Sequence, residues 1–147
     1  MQRFIRTNEE QWFHGVASRV LNGELWFRPS AENGLRRGEI AATVRLGDRL
    51  IETPACREKC YAVGQGVRLR IFDRKNGFGP WEAPALITGL RVMRLGELTQ
   101  KDLERTEFEG VDPEGVRITL KEYYGRDITW DDAITIVAFS LGKEASP

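Results

Sequence analysis

The sequence predicts an α+β domain in which short, mostly antiparallel strands curl into a small barrel and helices pack on its rim. Runs of β-favouring residues, such as GVRLRIFD (66–73) and AITIVAFSL (133–141), are set off by Gly- and Pro-bearing turns. Helical patterns cluster near the start and in the later third, so they do not alternate with strands as a doubly wound parallel sheet requires. Size agrees: 147 residues, 41% hydrophobic and 30% charged, describe one globular domain over 1–147 with its own core.

The elements follow in order. In TNEEQWFHGVASRVLNGE (7–24), Phe13, Val16, Ala17, Val20 and Leu21 recur at helical spacing. Asn8 with Gln11 fits a capping box, Thr7 is the alternative cap, and Asn22-Gly23 ends the helix. ELWFRP is a strand or edge segment closed by Pro29, and AENGLRRGE a short helical turn or loop. IAATVRL (40–46) is a strand entering a Gly47-Asp48 turn, whereas residues 50–64, broken by Pro54, stay ambiguous. GVRLRIFD alternates, with Val67, Leu69 and Ile71 on one face and Arg68, Arg70 and Phe72 on the other.

RKNGFGPWE (74–82) reads as a reversal, and APALITGLRVMRL (83–95) as a strand with a bulge or bend at Gly89. Thr99, with Asp102, caps a short helix in GELTQKDLERT. DPEGVRITLKEYYG is a second helix, with Asp112 as cap, Pro113 in its first turn and Gly125 at its end. AITIVAFSL closes the domain before a short tail.

The formal net charge is zero, which disfavours a strong non-specific polyanion binder. Its distribution is uneven: Arg28–Lys75 holds 11 basic and 6 acidic residues, Leu95–Asp132 holds 5 and 11. Either these charges pair locally, or one face attracts anions. The first residues lack the apolar run of a signal peptide, and no stretch reaches the length of a membrane helix, so a cytoplasmic, non-membrane protein is expected. In that compartment Cys56 and Cys60 are expected as free thiols. With His14 as the sole histidine, neither a metal site nor a Ser-His-Asp triad is expected. No P-loop or dinucleotide fingerprint is present, and no cofactor is implied.

Gly38-Glu39-Ile40-Ala41-Ala42-Thr43-Val44-Arg45 resembles the signature of ASCH domains, a branch of the PUA-like superfamily. That signature runs roughly Gly-x-Lys-Thr-x-Thr-x-Arg after a short helix. VGQGVRLRIF, RVMRLGELTQKDL, LKEYYG and ITIVAFSL look like the family's later segments in the same order, so the resemblance covers about 27–140. It implies a PUA-like pseudo-β-barrel with flanking helices and a ligand cleft beside the signature, and PUA-like domains often bind RNA.

Some small bacterial members look like amidohydrolases of acylated cytidine that use a lysine, a threonine and a glutamate. Thr43 and Arg45 match the signature's threonine and arginine. The glutamate falls in ERTEFEG, with Glu109 the first choice and Glu107 the second. The lysine position holds Ile40, which can neither activate a hydroxyl nor stabilise negative charge, and Ala41 replaces a threonine. Catalysis would then need a lysine such as Lys75 or Lys101 from elsewhere. Arg36 and Arg37 stay protonated, so they can meet an anion but cannot act as bases.

The leading expectation is a module binding RNA or a nucleotide-like ligand. Its cleft would be lined by Arg36, Arg37, Thr43 and Arg45, with Arg74, Lys75 and Trp81 at the rim. A divergent amidohydrolase of the N4-acetylcytidine type, using Thr43 and Glu109, is the alternative. A protein-interaction module with opposed basic and acidic faces is the third. Each residue also has a plainer role: Thr43 as a strand residue, Glu109 as a loop carboxylate, Ile40, Ala41 and Ala42 as packing. Trp26 and Phe27 read more simply as packing, whereas Phe78 and Trp81 suit either packing or base stacking.

Overall fold

The computed structural model describes residues 3–6, 23–50 and 60–142. The N-terminal helix expected from residue 7 onward, His14, Cys56 and the C-terminal tail lie outside them. Chain order is β1 (Arg3–Arg6), β2 (Glu24–Phe27), α1 (Glu32–Arg36), β3 (Ala42–Leu46), β4 (Gly66–Asp73), β5 (Gly77–Arg94), α2 (Pro113–Tyr124) and β6 (Ala133–Leu141).

The strands form one six-stranded sheet along the path β2-β4-β5-β6-β3, with β1 paired to β5. The β2–β4 pairing is parallel and the others are antiparallel. The long β5 organises the curl. Its first half pairs with β4 up to Leu86, and its second half passes between β6 and β1. The register of β5 against β6 shifts between Ile87 and Gly89, the bend read from the sequence at that glycine. The result is an open, curled α+β half-barrel with helices packed beside it, as the sequence predicted.

Two apolar clusters fill it. Leu25, Phe27, Val67, Leu69, Ile71, Leu90, Val137 and Phe139 pack inside the curl beneath Leu35 of α1. Val44, Leu46, Met93, Ile134 and Ile136 pack against Val116 and Leu120 of α2. Strand alternation lets β6 serve both, with 134 and 136 on one face and 137 and 139 feeding the other cluster. The α2 helix begins as its sequence dictates. The Asp112 carboxylate accepts from Gly115 N–H at 2.8 Å, Pro113 opens the first turn, and Gly125 takes the left-handed conformation (φ 68°) beyond the last.

Four local readings need correction. Residues 77–82 belong to β5, because Gly77 (φ 75°) reverses the chain at once and the turn shrinks to Arg74–Asn76. The helix expected after Thr99 is a single 3-10 turn, Lys101–Leu103; Thr99 and Asp102 bond to each other, and Arg105 soon turns left-handed (φ 63°). β1 was not anticipated, since four residues flanked by arginines carry little periodicity. Cys60 is disulfide-bonded, against the free thiol inferred from the assumed compartment rather than from geometry. Among the described residues, no helix is long and apolar enough to cross a membrane.

Candidate functional site

The half-barrel stays open because its end strands, β2 and β3, do not pair with each other. An exposed strand edge carries unpaired backbone donors that must be satisfied. On β3 this is done by groups from outside the sheet. Ala42 N–H donates to Arg105 O at 3.2 Å, Val44 N–H to Glu107 Oε1 at 3.2 Å, and Leu46 N–H to the Tyr124 hydroxyl at 3.3 Å. The 105–107 turn and the end of α2 therefore stand in for a missing strand. The left-handed Arg105 holds that turn in place, its guanidinium donating to Gly38 O at 2.7 Å.

Thr43 and Arg45 carry the rest of the arrangement. Thr43 Oγ1 donates to Glu107 Oε2 at 2.6 Å and accepts from Arg45 Nε at 3.2 Å. Arg45 Nη2 then donates to the main-chain oxygen of Trp26 at 2.7 Å, so one arginine side chain spans the seam from β3 to β2. Its guanidinium also lies 5.1 Å from the centre of the Phe27 ring.

Behind and beside this bridge is a cavity of ≈ 740 Å³. Arg28, Arg45, Arg49 and Arg74 line it together with Glu24, Asp73 and Glu107. Its aromatic walls are Trp26, Phe27, Tyr61, Phe72, Tyr123 and Tyr124. Arg28 and Arg74 are exposed and have no carboxylate partner among the described residues, whereas Arg49 is buried with Nε donating to Leu46 O at 2.6 Å. Arg28 instead lies over the Tyr123 ring, 3.7 Å from its centre, and both line the cavity.

Glu107 is only half-buried as a residue, but its carboxylate points inward at Thr43 and Val44. Desolvation therefore dominates and raises its pKa, opposed by the Arg45 charge and the hydrogen bonds from Thr43 and Val44. Burial likewise raises the Tyr61 and Tyr123 phenols, opposed mainly by the Arg45 charge at Tyr61 and by the Arg28 charge at Tyr123. The cavity thus sets four arginines and three carboxylates among phenol and phenyl rings.

The residues expected from sequence divide. Arg45 and Arg74 line the cavity, and Thr43 sits directly behind it, fully buried. Glu109 does not join them: it is exposed and accepts from Arg105 N–H at 2.6 Å, so the second choice, Glu107, is the carboxylate against Thr43. Arg36 pairs with Glu32 at 2.6 Å and faces Trp81, 5.7 Å from the ring centre, away from the cavity lining. Arg37 is exposed beyond α1, Lys75 is exposed in the β4–β5 turn, and Trp81 packs on the core from β5. Ile40 also packs on the core, and a Cβ at Gly34 would lie 2.7 Å from its Cδ1, which makes the apolar middle of the signature a helix-to-strand contact.

Sequence reasoning missed Arg28, Arg49, Tyr61, Tyr123 and Tyr124 as wall residues. Paired tyrosines in the last turn of α2 were a usable signal, whereas nothing local marks Arg49 as buried.

The chain superposes on two solved structures. A protein of Enterococcus faecalis V583 from the DUF984 family matches with a TM-score of 0.60 and 13% identity, over 90% of this chain and 88% of that one. An ASCH domain from Lactobacillus crispatus JV V101 matches with a TM-score of 0.56 and 12% identity, over 90% of each chain. No family model and no curated protein matches the sequence. The fold is that of an ASCH-type domain.

Proposed function

We propose that this domain binds RNA or a nucleotide-like ligand in the seam cavity between β2 and β3. The observation that carries the reading is the cavity wall. Two exposed arginines without carboxylate partners, Arg28 and Arg74, stand beside the bridging Arg45 and among flat aromatic rings. Guanidinium forks match phosphate oxygens, and the rings match nucleobases. The volume accommodates a nucleotide with space for water. The ASCH resemblance points the same way.

The test is a titration with the nucleoside 5′-monophosphates followed by NMR. Saturable shifts confined to Arg28, Arg45, Arg74 and Tyr123 support this reading; absence of shifts, or shifts centred on Arg36 and Arg37, refute it.

One contact favours a second reading, a divergent amidohydrolase of a modified nucleoside. The Thr43–Glu107 bond of 2.6 Å resembles a nucleophile beside its base. Binding ranks first because the Thr43 side chain has no exposed surface and Ile40 brings no charge. Release of cytidine from N4-acetylcytidine by the wild type, lost in Thr43→Val, would reverse that order.

A further inference from the structure

We infer that the seam cavity is one end of a longer track for single-stranded nucleic acid, continued by an aromatic platform on the outer face of the β2–β4–β5 sheet. The inference rests on the nucleotide-binding reading of the cavity and goes beyond it by adding a second surface, which a single strand leaving the cavity would occupy.

The platform is Trp26, Phe72 and Phe78. Strand alternation sends Leu25, Phe27, Leu69 and Ile71 into the core, so their neighbours Trp26 and Phe72 face outward. Phe78 is the cross-strand partner of Phe72 at the β4–β5 hairpin. The rings form a triangle, with centroids 5.1 Å apart for Trp26–Phe72, 4.9 Å for Trp26–Phe78 and 5.0 Å for Phe72–Phe78. Trp26 is 37% and Phe78 39% exposed.

The platform is continuous with the cavity. Trp26 of β2 and Phe72 of β4, which project from the outer face of the sheet, line the cavity together with Phe27, whose side chain packs in the core. A ligand leaving the seam runs directly onto the rings.

Charge decides which polymer fits. The acidic groups nearby are already engaged. Glu82 pairs with Arg68 and Arg70, Glu24 accepts from Trp26 Nε1 and lies 3.6 Å from Arg70, and Asp73 holds the hairpin turn through Lys75 N–H and Asn76. The Arg70 guanidinium lies over the Phe78 ring, 3.6 Å from its centre. Arg28 and Arg74 line the cavity with Trp26 and Phe72, Lys75 lies in the turn between Phe72 and Phe78, and all three are exposed with no carboxylate partner among the described residues. Aromatic faces bordered by unpaired cations are the recognition chemistry of a single strand with stacked bases and charged phosphates.

The experiment compares a labelled single-stranded pentauridylate with uridine 5′-monophosphate on the full chain, in wild type, Phe78→Ala and Phe78→Leu. Phe78→Leu keeps apolar bulk and removes the π face, which separates stacking from a folding defect. The expected result is that the pentamer binds at least about tenfold more tightly than the monophosphate, and that both variants lose most of this advantage with monophosphate affinity unchanged. Monophosphate binding with no pentamer advantage, or an advantage that survives in both variants, would overturn the track and leave the cavity reading intact. Failure of both ligands to bind would overturn the cavity reading and the track with it.

Discussion

Thr43 and Glu107, 64 positions apart in sequence, meet through a 2.6 Å hydrogen bond behind the open seam. The same carboxylate accepts Val44 N–H, so it acts as a substitute for the strand that would otherwise close the barrel. Removing it leaves a backbone donor and a buried hydroxyl without their acceptor. Glu107→Ala is therefore expected to cost about 2 kcal/mol in urea unfolding, and Glu107→Gln, which keeps one oxygen, less than about 1 kcal/mol.

The carboxyl of Glu107 also titrates against stability. Burial raises its pKa in the folded state, so over the interval above its unfolded value the folded chain holds more protons than the unfolded chain. Its contribution is most favourable at low pH, and stability is lost as pH rises through that interval. Glu97, Glu114 and Asp132 have lowered pKa values and act with the opposite sign, so the informative quantity is the wild type minus Glu107→Gln. Unfolding free energies from about pH 4 to pH 8 are expected to show that difference falling as pH rises, then levelling. A flat difference would mean the carboxyl is not desolvated.

Arg45 ties the two edges of the seam. Arg45→Ala removes the contact to Trp26 O and a positive charge from the cavity wall, and is expected to weaken nucleotide binding at least about tenfold. Arg45→Lys keeps the charge but cannot hold Thr43 and Trp26 with one planar fork, so it is expected to recover only part of the affinity. Calorimetric titration of both variants checks this.

Asp112 caps α2, which carries Tyr123 and Tyr124 to the cavity. Asp112→Ala is expected to lower stability by about 1 kcal/mol, while ligand affinity stays within about twofold at a temperature where the chain is folded. Thermal unfolding and a binding isotherm on the same sample separate the two effects.

How legible all this was in the sequence depends on range. Period-two alternation placed β4 and β6, capping chemistry placed α2, and Gly89 marked the bend in β5. These signals are local. Of the polar residues at the candidate cavity, the sequence reading named Thr43, Arg45 and Arg74, and Glu107 only as a second choice. Choosing Glu107 over Glu109 required knowing that Arg105 turns left-handed and directs one of two nearby glutamates inward. Arg36 and Arg37 sit beside the signature in sequence, but α1 carries Arg36 towards Glu32 and Trp81. Arg28, after β2, reaches the seam because a parallel β2–β4 pairing places that strand opposite β3, a long-range fact with no local pattern.

The most direct test sets the arginines of the seam against those of the signature helix. Nucleotide affinity is measured by calorimetry for wild type, for Arg28→Ala/Arg74→Ala and for Arg36→Ala/Arg37→Ala. The account predicts that the first pair loses at least about thirtyfold, roughly two charged contacts, and that the second binds as the wild type does. Loss of affinity in the second pair with the first unaffected would contradict it, and would move the site from the seam to the α1 face.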